Sequence, residues 1–290
     1  MIRVAGPSAT VRDADGEHEA RLPSGRGKNR LVAGDRVAVR TLGDEVLIER
    51  VEPRSSVLER ADGQSRRPRA LVANADLAVV MASIVEPPLR PDIVDRYIVA
   101  ATAGGLEAAI GITKTDLAHD NVALSDFCET YRRLGHSVVV GDARSQEFVR
   151  AMRRLIGDRL AALVGPSGVG KSTLAGALTG VERAVGEISQ KAGTGRHTTT
   201  DPRLIPLPGG GAIIDTAGVR SFHLPGLDRG SVEAGFRDVS AAGVRCRFRD
   251  CNHVGEDGCA VPSAVSPARL ESYRRILEEV GALTRRAPHA

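Results

Sequence analysis

The sequence predicts a multidomain α/β protein: a small N-terminal β-barrel with a linker (residues 1–68), an α/β core around a phosphate-binding loop (69–221) and a C-terminal helical module held by a metal ion (222–290). Three observations carry that prediction. Short strand-like runs separated by tight-turn signals fill about the first fifty residues. Apolar strands then alternate with amphipathic helices, which is the pattern of a mostly parallel sheet covered on both faces. Last, three of the four cysteines and a histidine fall between Cys246 and Cys259.

Composition sets the outer limits. A chain of 290 residues has room for about two domains by length alone. Its apolar share of 42% and charged share of 26% describe a globular protein, and no run approaches the ~18 apolar residues of a membrane span. Met1-Ile2-Arg3 leads into polar sequence rather than a signal-peptide pattern, so a cytoplasmic protein with no membrane partner is expected. The net charge is +4 and the pI 9.1. Positive charge is almost all arginine; of the four lysines, Lys28, Lys114, Lys171 and Lys191, two sit inside nucleotide motifs, where a compact ammonium differs chemically from a planar fork.

The elements read in order as follows. Asp15-Gly16 and Gly43-Asp44 mark hairpin turns, and Leu31–Val39 and Glu45–Glu49 read as strands. Arg21, Arg26, Lys28, Arg30, Arg36 and Arg40 make this barrel basic, either as a solvated surface or as a nucleic-acid contact. With no aromatic residues for stacking, such a contact would favour backbone phosphates over bases. Arg54 to Arg69, polar and arginine-rich, reads as a linker. Beyond it, Leu77–Ala82 is a buried strand, Pro91–Ala103 an amphipathic helix and Glu107–Ile112 a strand. A helix over Ser125–Leu134, a strand over Ser137–Val140, a strand over Arg159–Val164 and a helix over Ser172–Leu178 follow. Ala212–Ile214 is a strand ending in Asp215-Thr216-Ala217-Gly218, and Ser266-Pro267 starts a helix with apolar face Leu270, Tyr273, Ile276, Leu277 and Val280. Cys128 stands alone in a helix and reads as a buried apolar residue.

Gly165-Pro166-Ser167-Gly168-Val169-Gly170-Lys171-Ser172 fits G-x-x-x-x-G-K-[ST], with Thr173 continuing the cradle. Its glycines let successive backbone N–H groups curl around phosphates, and the helix that follows adds the positive end of its dipole. Lys171 supplies a point charge to the β- and γ-phosphates, and Ser172 a hydroxyl to Mg²⁺. At the end of another apolar strand, Asp215 is placed to hold Mg²⁺ through water and the Gly218 N–H to sense the γ-phosphate. Between them, in Gly195-Arg196-His197-Thr198-Thr199-Thr200, Thr199 is a further Mg²⁺ candidate that orders with the γ-phosphate; the plain alternative is a polar surface loop.

Thr113-Lys114-Thr115-Asp116 reads as the guanine tetrad [NT]-K-x-D. Asp116 would accept from guanine N1–H and N2–H₂. Adenine would leave a buried carboxylate unpaired, a mismatch that rejects the wrong base by up to roughly 10⁴–10⁵. Lys114 would lie over the base plane and brace the phosphate loop. The tetrad precedes the phosphate loop by about fifty residues, the reverse of the usual order. Chain order is physically free here, since both loops need only share one edge of one sheet.

Cys246-x4-Cys251-x-His253-x5-Cys259 offers a closed tetrahedral Zn²⁺ set, structural rather than catalytic because no coordination position stays open. Arg245, Arg247 and Arg249 surround it and could meet RNA phosphates.

The reversed motif order, the Gly-Arg-His-Thr-Thr-Thr run, Asp-Thr-Ala-Gly-Val-Arg and the Cys/His spacing together resemble the ribosome small-subunit-dependent GTPase A family over essentially the whole chain. The resemblance implies an OB-type barrel, a circularly permuted GTPase core and a helical zinc domain. It further implies GTP and GDP as ligands, late maturation of the small ribosomal subunit, and hydrolysis stimulated by that subunit and its rRNA. A monomer is expected. The chain departs from the family pattern at Thr113, where the commoner Asn would add a bracing amide. The last guanine-contacting motif, expected near Gly141-Asp142-Ala143, is hard to recognise.

Val219 occupies the position after D-x-x-G where ordinary small GTPases carry the water-orienting Gln, so the intrinsic rate should be low. His197, ordered on RNA contact, is the candidate catalytic residue; a structural or RNA-contacting role is the alternative. Two readings compete: a GTPase timer that leaves the subunit after hydrolysis, and an RNA-binding assembly factor that uses GTP as an affinity ligand with hydrolysis incidental. A permuted GTPase of the large subunit is a third, disfavoured on the same resemblance by the barrel and zinc cluster.

Overall fold

The computed structural model describes residues 2–5, 8–13, 15–22, 31–61, 67–117, 122–180, 202–216, 218, 222–249 and 251–286. The N-terminal strands are β1 (Arg3–Ala5), β2 (Ser8–Arg12), β3 (Glu17–Arg21), β4 (Val37–Leu42) and β5 (Glu45–Val51). They form one sheet in the order β1-β2-β3-β5-β4, with β3 and β5 parallel and the other pairs antiparallel. This is the connectivity of an OB-type, partly open barrel. Its core is small: Ala9, Val11, Ala20 and Ile48. Both expected hairpins form, one joining β2 to β3 and the other β4 to β5.

Two expectations need correction. The strand read over Leu31–Val39 begins only at Val37. Asp35 is fully buried, accepts from Val32 N at 2.9 Å, and receives Arg54 through Nε at 2.7 Å and Nη2 at 2.9 Å. That turn and buried fork interrupt the strand. The stretch expected as a linker instead carries β6 (Val57–Ala61), paired antiparallel with β7 (Pro68–Ala73). Its arginines drew attention from Leu58, Ala61, Val72 and Ala73, which are all buried. Asn74 ties this hairpin to the barrel by accepting from Ser55 N at 2.8 Å and donating to Gly34 O at 3.0 Å.

The core sheet comprises β8 (Leu77–Ser83), β9 (Glu107–Thr113), β10 (Val138–Val140), β11 (Leu160–Val164), β12 (Arg203–Pro206) and β13 (Ala212–Asp215). Its order is β10-β9-β8-β11-β13-β12, parallel except for β12. Alternation sets the layers: Ala78, Val80 and Ala82 face one core and Leu77, Val79 and Met81 the other. The first face is covered by α1 (Pro91–Ala103) and α2 (Val122–Arg133), the second by α3 (Gln146–Ile156) and α4 (Lys171–Thr179). Cys128 is buried in α2, as expected. Helix α3 and strand β12 were not anticipated. The apolar face of α3 is Phe148, Val149, Met152, Leu155 and Ile156, set among arginines.

The C-terminal part adds α5 (Arg229–Gly235), α6 (Arg237–Gly243) and α7 (Pro267–Arg286), of which only α7 was read from sequence. Its Leu270, Tyr273, Ile276 and Val280 are buried in the same core as α1 and α2. No helix among the described residues is long and apolar enough to cross a membrane.

Candidate nucleotide site and metal centre

The parallel strands β8, β9, β11 and β13 end on one edge, and the nucleotide motifs gather there. The phosphate loop runs from β11 into α4. Gly165 adopts φ +138°, and a Cβ at this position would lie 2.2 Å from Met81 O, so only glycine lets the loop leave the sheet this close to β8. Lys171 opens α4 and is 5% exposed; its Nζ donates to Gly165 O at 2.9 Å and Pro166 O at 2.6 Å. Burial pulls its pKa down to about 8, against the opposing pull of Asp215. An ammonium held at this cost is a group built to meet anionic phosphate.

Asp215 ends β13 and lies beside Ser172, Oγ to Oδ2 3.4 Å. A hydroxyl and a carboxylate side by side at the mouth of a phosphate cradle suit a hard, oxygen-loving cation, and these two residues would hold Mg²⁺. Thr216 Oγ1 donates to Leu163 O at 2.7 Å, pinning the end of β13 to the strand that feeds the phosphate loop. Gly218 folds back onto that loop: a Cβ on it would lie 2.6 Å from Ser167 Cα and 2.8 Å from Lys171 Nζ. The D-x-x-G motif therefore touches the phosphate loop through a backbone no side chain could replace. His197 and Thr199 lie outside the described residues, as does Val219.

On the base side, Thr113 is fully buried at the end of β9. Its Oγ1 lies 2.8 Å from Val169 O and 3.2 Å from Ala82 O. The hydroxyl thus braces the phosphate loop in place of the amide an Asn would have brought. Lys114, with φ +59°, donates to the carbonyl of Glu86, whose loop lies 3.7 Å from the Gly168 Cβ position. Its brace on the phosphate loop is therefore indirect, through residues the sequence did not mark. Thr115 and Asp116 form a single 3₁₀ turn, and the Asp116 carboxylate is exposed rather than buried. The guanine itself would have to supply the burial that makes this carboxylate selective. Gly141-Asp142-Ala143, where the last base motif was expected, sits next to the cradle: Ala143 Cβ lies 3.4 Å from the Gly170 Cβ position.

Cys246, Cys251, His253 and Cys259 bring their ligand atoms within 4.8 Å of one another. Cys246 Sγ is 3.9 Å from Cys259 Sγ, and His253 Nδ1 lies 3.6 and 3.5 Å from these two sulfurs. A tetrahedral ion with Zn–S bonds of ~2.3 Å sets its sulfurs about 3.8 Å apart, so the four donors fit zinc. The outer nitrogen of the ring, His253 Nε2, faces Arg229 Nη2 at 3.4 Å and Glu233 at 3.9 Å, and Arg229 Nε donates to that carboxylate at 2.6 Å; sequence spacing gave no hint of this pair.

A family model described as RsgA GTPase matches residues 51–225. The chain belongs to the RsgA GTPase family. It is a GTP hydrolase. The small ribosomal subunit biogenesis GTPase RsgA of Chlorobaculum parvum is 35% identical over 291 residues, covering 94% of this chain and 93% of that one. The protein of the same name from Ectopseudomonas mendocina is 39% identical over 258 residues, covering 85% and 74%. Among solved structures, "YloQ, a circularly permuted GTPase" superposes with a TM-score of 0.72 at 25% identity, covering 100% of this chain and 95% of its own. YjeQ from Thermotoga maritima, at 24% identity and TM-score 0.73 over 96% of each chain, shares the fold. The reversed motif order of this RsgA GTPase is thus a circular permutation.

Proposed function

We propose that this chain is a GTP-driven maturation factor of the small ribosomal subunit: it binds the subunit and its rRNA with GTP in place, and subunit contact triggers hydrolysis and release. The names of its relatives support the partner. The observation that carries the chemistry is the convergence of Lys171, Ser172, Asp215 and Gly218 at one strand edge. In this reading Gly165 to Thr173 wrap the phosphates, and Thr113, Lys114, Thr115 and Asp116 select guanine. Ser172 and Thr199, with Asp215 through water, would hold Mg²⁺, which would supply positive charge to the phosphates. Water attacks the γ-phosphorus in line, the bond to the β–γ bridging oxygen breaks, and GDP and phosphate leave. Lys171 stabilises the charge that develops, and the Gly218 N–H fixes the γ-oxygen. With Val219 unable to orient water, His197 takes that role once rRNA orders it. Cys246, Cys251, His253 and Cys259 hold one structural Zn²⁺. The protein works as a cytoplasmic monomer.

The deciding measurement is GTP turnover with and without purified small subunits. Acceleration of roughly 10³–10⁵ is the scale of related switches; no acceleration sinks the proposal. His197→Ala is expected to abolish the stimulated rate while leaving subunit binding intact. If that variant binds the subunit but cannot leave it, the timer reading holds over the affinity-ligand reading.

A further inference from the structure

Three residues that follow the D-x-x-G segment, Phe222 to Leu224, are held from several sides. From α1, Arg96 Nη1 donates to Phe222 O at 3.3 Å, and Tyr97 stacks on the Phe222 ring with centroids 4.3 Å apart. From β6, Ala61 N donates to His223 O at 2.9 Å. From α7, the Glu279 carboxylate pairs with Arg96 through Oε2, while Oε1 accepts from Leu224 N at 3.4 Å and lies 3.6 Å from His223 Nδ1. Leu224 is fully buried beneath this clamp. Glu279 and Arg96 are each only 22% exposed, so their pair is partly shielded from solvent.

Described residues on either side of Gly218 are held in place. Thr216 is bonded to β11 at one end, Phe222 to Leu224 are clamped at the other, and Gly218 lies between them on Ser167 and Lys171. A cavity of about 450 Å³ is lined by Pro166 and Ser167 of the phosphate loop together with Phe222, His223 and Glu279. In sequence Phe222 follows Gly218 by four positions, and α7 supplies the carboxylate that accepts from Leu224 N.

We infer that Glu279 is a positioning residue for GTP turnover, acting through Phe222–Leu224 to set Gly218 over the phosphate loop, so that the C-terminal module tunes the response to the γ-phosphate. This rests on reading Gly218 as the γ-phosphate contact. A misplacement of about 1 Å at a reacting centre can cost up to about a hundredfold, and a loosened but still tethered segment should cost less. Glu279→Ala is expected to lower single-turnover kcat about tenfold and to weaken a non-hydrolysable GTP analogue several-fold. GDP affinity should stay within twofold, because GDP makes no γ-contact. Glu279→Gln, which keeps an acceptor for Leu224 N but loses the charge for Arg96, should fall between and covers the case in which the alanine variant folds poorly. A purely structural role would lower melting temperature and leave the GTP-analogue to GDP affinity ratio unchanged, which overturns the inference. Gly218→Ala separates the two levels. If it shifts that ratio and folded, zinc-loaded Glu279 variants do not, only the clamp fails. If neither shifts it, the γ-phosphate reading fails with it.

Discussion

Lys171 shows most sharply how one residue trades stability for function. Its ammonium sits 5% exposed among backbone carbonyls, and burial sets its folded pKa near 8, below the ~10.4 of a free lysine. Below about pH 8 both folded and unfolded chains carry the proton, and the burial cost is constant. Between about pH 8 and 10 the unfolded chain keeps its proton and the folded one has lost it, so this group makes nucleotide-free stability rise with pH, by at most about 1.4 kcal/mol per unit. Bound phosphate favours the charged form and should erase that rise. Lys171→Met removes the buried charge. We expect it to stabilise the nucleotide-free protein by roughly 1–3 kcal/mol and to weaken GDP by about a hundredfold or more. Urea melts at pH 7 and 9.5, with and without GDP, check both; a stability slope of the opposite sign would refute the account. Residue-scale chemistry of this kind was legible in the sequence wherever a motif fixes backbone as well as side chain, as it does from Gly165 to Ser172. It was less legible where one donor replaces another. Reading Thr113 as an Asn lacking its amide missed that a hydroxyl at the end of β9 reaches Val169 O directly.

At the scale of elements, strands β8, β9, β11 and β13 were readable because each is an apolar run, and the last three end at a motif. The hairpin β6–β7 was not, because alternate residues bury Leu58 and Val72 while the arginines between them dominate the composition. Helix α3 hid behind its arginines, although Phe148, Val149, Met152, Leu155 and Ile156 recur at helical spacing and pack on the core. The metal module is the opposite case: little apolar sequence, but a ligand spacing that states its fold. Cys251 and His253 are buried, and Tyr273 of α7 packs at 6.0 Å from the His253 ring. A metal ion on these four ligands would therefore tie the cluster to one face of α7. Structural zinc contributes ~10–16 kcal/mol of apparent folding energy in small modules. Chelation, or Cys259→Ser, should open residues 244–261 to proteolysis and release one zinc per chain. GDP affinity should change less than threefold, since the base and phosphate loops stand on other elements. A protease pattern unchanged by complete zinc removal would show that the cluster does not hold this segment.

For the whole molecule, the permuted order decides which end of the GTPase core faces which neighbour, and a buried ion pair fixes one of those junctions. Asp95 of α1 is 1% exposed and Arg269 of α7 is 5% exposed; the two are paired, with Arg269 Nε also 2.9 Å from Asp238 of α6 and Tyr131 Oη 2.5 Å from Asp95. The guanidinium lies 4.5 Å from the Phe236 ring centroid, so it is stacked as well as paired. No motif announces Asp95 or Arg269, because 174 residues separate partners that only the folded topology brings together. Desolvating two charges offsets most of their attraction, so the pair adds little net stability while penalising any other seating of α7 on α1. This predicts strong non-additivity. Arg269→Ala strands a buried carboxylate and should cost about 3–5 kcal/mol. Asp95→Leu with Arg269→Met, filling similar volume without charge, should come within roughly 1–2 kcal/mol of the parent. A double-mutant cycle by urea denaturation reads the coupling directly. Coupling below about 0.5 kcal/mol would mean that apolar packing of Phe236, Tyr273 and Ile276 alone seats the module. Strong coupling would make this pair the registry pin that keeps Glu279, ten residues along the same helix, in reach of the chain leaving Gly218.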